Sequence, residues 1–135
     1  MNDRIAASFA RQSMMQTFGA TLDAVTQGHV TLSAPILPGS RQQQGFAHAA
    51  LTFGLGDSAA GYAALTTIPE DQEVVTAEIK INLTAPATGE RLIAKGRVIK
   101  PGRRLIVVSS EVFAVTDSVE TLVAVLQGTM VPVRA

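Results

Sequence analysis

One histidine and one carboxylate interrupt an otherwise apolar run, GFAHAALTFGLGDSAAGYAALTT, between Gly45 and Thr67. Burying an unpaired carboxylate is costly, so Asp57 is either exposed or placed for a purpose. Apolar surroundings would raise its pKa and make it a stronger base. His48 precedes Asp57 by nine positions. At about 100° and 1.5 Å per residue, a helix sets the two on opposite sides and roughly 13 Å apart. They form no dyad within one chain. A site that uses both takes one from each of two subunits.

The element that positions them reads as a helix over 47–67, which contains one acidic and no basic side chain. Such a helix needs cover on nearly all sides. A helix lying on one face of a sheet would show a charged outer stripe, and none is visible. The expected cover is a sheet of six strands curling round it. Residues 2–18 read as an amphipathic helix, with Ile5, Phe9, Met14 and Met15 near helical spacing. GATLDAVTQGHVTLSAPIL alternates about Gln27-Gly28 and predicts a hairpin. After the central helix come EVVTAEIKINLTAPA, ERLIAKGRVIK, RLIVVSSEVFAVT and TLVAVLQGTMVPV. Their separators, Pro86 to Gly89, Pro101-Gly102 and Asp117-Ser118, carry the turn chemistry of consecutive antiparallel strands. The fold class predicted is α+β, in one domain over 1–135.

At 135 residues the chain is long enough to bury a core. Only 16% of it is charged, and 47% is hydrophobic. Composition and a mean hydropathy of +0.27 predict an oligomer, because surface that one chain cannot hide is hidden against a copy. Eleven basic and eleven acidic residues, in no block of like charge, argue against nucleic acid or an anionic membrane as partner. Without cysteine there is no disulfide and no thiolate nucleophile. No signal peptide or membrane span is legible, so the expected location is the cytoplasm. Two histidines, not spaced i,i+4, argue against a metal site. GLGDSA satisfies a loose dinucleotide motif but lies inside a helix, and GDSAA lacks the second glycine of a nucleophile elbow.

A helix that runs from G-x-x-H to an Asp nine residues after the His, with four strands following, resembles the hotdog-fold acyl-CoA thioesterases. RQQQGFAHA and RVIKPGRRLIVVSSEVFA add to the likeness, which covers about residues 20–133 and is closest to the PaaI-like family. It implies a hotdog fold: an antiparallel six-stranded sheet wrapped around the central helix, here with an extra N-terminal helix. The family's His-Gly-Gly reads His48-Ala49-Ala50 in this chain. The first Gly would offer its backbone N–H to the thioester carbonyl, and Ala49 keeps an N–H.

Thioester hydrolysis needs an activated water or a nucleophile, and a stabiliser for the oxyanion. The leaving thiol, of pKa about 8.5, departs without help. The resemblance implies that Asp57 attacks or deprotonates water, while the helix N-terminus of the facing subunit binds the oxygen near Ala49. Gln42 stands where many members have Asn, and Gln44 is its alternative for a water or carbonyl contact. Thr76 stands where some relatives hold the attacking water with Ser. Lys100, Arg103 and Arg104 are the cations nearest to hand for the phosphates of coenzyme A, which enters as part of the substrate and not as a cofactor.

Plainer readings compete. His48 serves equally well as a helix cap, Thr76 as an ordinary strand residue, and KPGRR as a solvated turn. Phe46, Phe53 and Tyr62 line a pocket or the core, and His29 sits at the surface. A non-catalytic acyl-ligand binder would keep the pocket without needing Asp57. A dehydratase would pair His with Asp or Glu in one site, which the helical spacing denies within a chain. The partners expected are an acyl-CoA, with an aryl or short to medium acyl group, and the chain itself as homodimer or homotetramer.

Overall fold

The computed structural model describes residues 2–135. Where one N-terminal helix is expected there are two, α1 (Asp3–Arg11) and α2 (Ser13–Phe18). The break falls at Gln12, whose backbone is extended at φ −85° and ψ 98°. Neither Gly nor Pro causes it. The Gln12 side chain turns inward, its Nε2 donating to the Tyr62 hydroxyl at 2.9 Å and its Oε1 accepting from Ser58 at 3.3 Å. These tertiary bonds override a residue with good intrinsic helix propensity. Asn2 caps α1 by accepting from the N–H groups of Arg4 and Ile5, and buried Ile5 and Met15 anchor the two short helices.

β1 (Thr21–Thr26) and β2 (His29–Pro35) form the hairpin expected about Gly28, which has φ +78°. The central helix α3 (Ala49–Leu65) follows, then β3 (Gln72–Leu83), β4 (Arg91–Lys100), β5 (Ile106–Thr116) and β6 (Val119–Arg134). All six strands make one antiparallel sheet in the order β1-β2-β4-β5-β6-β3. The expectation of consecutive hairpins holds for β4–β5 and β5–β6 and fails for β3–β4. β3 pairs with β6 instead and forms one edge of the sheet. The segment after β3 crosses beneath the start of α3, where Ala47 donates its N–H to the Ala87 carbonyl at 2.9 Å.

α3 lies in the curve of the sheet. Leu51, Leu55, Ala59 and Ala63 are buried with Leu32, Leu92, Val112 and Leu126 in one cluster. Its seat is specific. Gly96 and Ser110 face each other across β4 and β5. A Cβ at Gly96 would run into the carbonyl of Ala59, so only glycine admits the helix backbone there. The buried Ser110 hydroxyl donates to the Gly56 carbonyl at 2.7 Å. The sheet does not supply all the cover. Ala49 and Ala50 are exposed, and Phe53, Gly54, Asp57, Ser58 and Gly61 are half-buried along one helical face. The N-terminal helices screen part of that face, with Phe18 against Gly54. Asp57 is on this incompletely covered stripe.

Candidate active site

Asp57 opens into a cavity of about 220 Å³ bounded by α1, Gln12, α3, the start of β3, and Met130 of β6. Thr76 donates from Oγ1 to Asp57 Oδ1 at 2.8 Å. A bulge puts it there: Thr76 pairs with Met130 and Glu78 with Thr129, leaving Ala77 as the extra residue that re-aims the strand. Burial pushes the Asp57 carboxyl above its ordinary value of 3.8, and the bond from Thr76 pulls it part of the way back. The result is a basic carboxylate held in one orientation. Serine and amide side chains, Ser8, Gln12 and Ser58, share the cavity, as do Tyr62 and Glu73. Of these, the sequence marked only Tyr62. Gln12 left no local signal, because its helix break has neither Gly nor Pro.

The start of α3 forms a second half. His48 is the N-cap, and its Nδ1 accepts the N–H of Ala50 at 2.8 Å. That bond places the ring proton of neutral His48 on Nε2. The Ala49 N–H, at the first helical position, has no partner among the described residues. Ala49 faces a cavity of about 470 Å³ together with Gln42, Gln44, Phe46 and Leu83. Gln42 shapes the approach: its Oε1 accepts the N–H groups of Gln44 and Phe46, and its Nε2 donates to Gln44 Oε1 at 3.0 Å. The His48 ring is turned away, into a third cavity with Phe18, Leu37 and Arg41.

The remaining candidates are dispersed. Phe53 packs against the main core. Arg103 borders a cavity with Thr67, Pro69 and Gln72 beyond the C-terminal end of α3, and Lys100 and Arg104 are exposed nearby in sequence. Asp57 and Thr76 thus share one cavity, while Ala49, Gln42, Gln44 and Phe46 share another. Eight helical positions, about 12 Å of rise, separate Ala49 from Asp57 in the same chain. No three of the described His, Asp and Glu side chains come together as a metal site. No described helix is long and apolar enough to cross a membrane.

A polarised carboxylate and an unpaired helix N-terminus are the equipment for acyl transfer. Comparison with known proteins bears on that chemistry. The sequence profile of the Thioesterase superfamily matches residues 44–121, more than half of the chain and the part that holds both cavities' α3 residues. A thioesterase family protein from Silicibacter pomeroyi is similar over 98% of this chain and 97% of its own, at 38% identity and a TM-score of 0.95. The BH2602 protein of Bacillus halodurans, whose structure was determined with CoA, is 25% identical over 97% of this chain and 84% of its own, with a TM-score of 0.79. The E. coli PaaI protein of the phenylacetic acid degradation operon shares the fold, with a TM-score of 0.85 at 18% identity over 96% of this chain and 91% of its own. No curated protein matched. The fold is the hotdog fold, of PaaI-like form, and the chain belongs to the Thioesterase superfamily.

Proposed function

We propose that the protein is an acyl-CoA thioesterase whose sites are completed between two copies of the chain. The observation that carries this reading is Asp57: a carboxylate raised in pKa by burial, oriented by Thr76, and open to a cavity of acyl size. At about 220 Å³ that cavity falls below the roughly 300–1,000 Å³ of a whole-ligand site, so it suits an acyl group and not coenzyme A.

Asp57 of one subunit attacks the thioester carbon or takes a proton from the water that does so. The oxygen of the tetrahedral intermediate is held by the Ala49 N–H of the facing subunit, where His48 fixes the helix start. The C–S bond then breaks and the thiolate leaves, with Gln42 or Gln44 as contacts for the carbonyl or the water. Where Asp57 itself attacked, water next cleaves the acyl–Asp57 anhydride to release the acid and restore the carboxylate. Lys100, Arg103 and Arg104 supply charge for the phosphates of coenzyme A.

Two features support pairing through β3. It is a 12-residue edge strand with Val75 and Leu83 exposed, a surface that isolated proteins seldom leave open. The Asp57 cavity borders β3 at Val74 and Thr76, and the Ala49 cavity borders it at Leu83. An antiparallel two-fold near the middle of β3 brings the first end of one chain against the second end of its copy. Each dimer then holds two composite sites.

The test is free-thiol release from aryl, short, medium and long acyl-CoAs by wild type and Asp57→Asn. Turnover by wild type, lowered at least about a hundredfold in a folded variant, is the expected result. No turnover by either, with acyl-CoA still raising the melting temperature, would make the protein a binder of acyl ligands.

A further inference from the structure

We propose that the Tyr62 hydroxyl is a specificity-determining hydrogen-bond donor in the Asp57 cavity. It selects acyl groups that carry an oxygen acceptor a few carbons beyond the thioester. This deepens the thioesterase reading and rests on it.

Tyr62 is 6% exposed, yet it lines the cavity that Asp57 opens into. Its oxygen accepts twice, from Ser8 Oγ at 3.2 Å and from Gln12 Nε2 at 2.9 Å. A phenol also has one proton to give. Among the described residues nothing accepts it. With both lone pairs engaged by protein donors, the hydroxyl acts toward an incoming group as a donor alone.

The surrounding bonds hold it that way. The Ser58 hydroxyl donates to Gln12 Oε1 at 3.3 Å, so the two ends of the amide bridge Ser58 and Tyr62. The chain gives up helical continuity at Gln12 to make these contacts. Gln12 is therefore a positioning residue: it acts on the ligand through Tyr62. A buried polar group with spare capacity disfavours a ligand that leaves it unpaired and favours one that fills it.

The reach is set by the helix. Tyr62 lies five positions after Asp57, about 7.5 Å of rise, and helical side chains lean back toward the N-terminus. The hydroxyl is thus offset from the carboxylate along the helix while both line one cavity. An acceptor on the fourth carbon beyond the thioester carbonyl suits that offset, whereas an all-hydrocarbon chain leaves the phenolic proton unpaired.

Hexanoyl-CoA and 5-oxohexanoyl-CoA, equal in length and differing by one carbonyl, are the probes. Thiol release gives kcat/KM for each with wild type, Tyr62→Phe, Gln12→Met and Gln12→Glu. We expect wild type to favour the oxo ester by about tenfold, the scale of one hydrogen bond that is otherwise unmade. The ratio falls to near one in Tyr62→Phe and partway in Gln12→Met. Gln12→Glu, which cannot donate to the phenol when ionised, also lowers it. Equal turnover of both esters by wild type, or an unchanged ratio in folded Tyr62→Phe, overturns the selection and leaves the thioesterase standing. Turnover of neither ester, nor of any in the wider acyl-CoA panel, overturns the thioesterase and the selection together.

Discussion

Asp57 shows how one residue's burial makes stability depend on pH. Its carboxyl is raised above 3.8 by desolvation, so the folded chain holds its proton to higher pH than the unfolded chain does. Between those two values the native state binds more protons, and stability falls as pH rises through the folded pKa. At neutral pH the ionised group is a net penalty. Asp57→Asn removes it while keeping an oxygen for Thr76 to bond. Differential scanning calorimetry is expected to show the variant melting above wild type at pH 7, with the gap closing as pH falls below the ordinary carboxylate range. A lower melting temperature at pH 7 would mean that Asp57 serves stability. Thr76 acts on the same equilibrium from the other side, because its bond lowers the Asp57 pKa. Thr76→Val should move the acid limb of the kcat/KM profile to higher pH, and Thr76→Ser should restore it.

At the scale of elements, the helix is only as well placed as its seat. Gly96 admits the Ala59 carbonyl and Ser110 holds the Gly56 carbonyl, immediately before Asp57. Gly96→Ala is expected to destabilise by about 1–3 kcal/mol or more, as overpacking does. A denaturation curve checks this, and a wild-type midpoint would deny the close approach. A lone glycine inside a strand pattern is the sequence mark of such a contact. The helix itself was legible because GFAHAALTFGLGDSAAGYAALTT has no charged stripe, and the hairpin because Gln27-Gly28 punctuates an alternating run. The pairing of β3 with β6 was not, since strand patterns mark faces and turns but not neighbours. The break at Gln12 was hidden for a related reason. It arises from Tyr62 and Ser58, fifty and forty-six residues away.

For the molecule as a whole, the separation along α3 makes a prediction that no single chain can satisfy. Asp57 and the Ala49 N–H lie in different cavities of one chain, and a composite site needs one of each from two chains. The Ala49 N–H can be deleted with little harm to the helix. Ala49 is the first residue of α3, and His48 before it is extended at φ −64° and ψ 144°, the conformation that proline tolerates in its predecessor. Ala49→Pro should fold and lose about 10²–10³ in kcat, as removal of one oxyanion donor does. Asp57→Asn is expected to be inactive through the opposite half. Unfolded together and refolded as an equal mixture, the two inactive variants should recover about a quarter of wild-type activity. Half of the dimers are then mixed, and one of the two sites in each is intact. Recovery near zero in a mixture shown to contain mixed dimers would place both groups in one chain's site, and α3 would have to bend to bring them there.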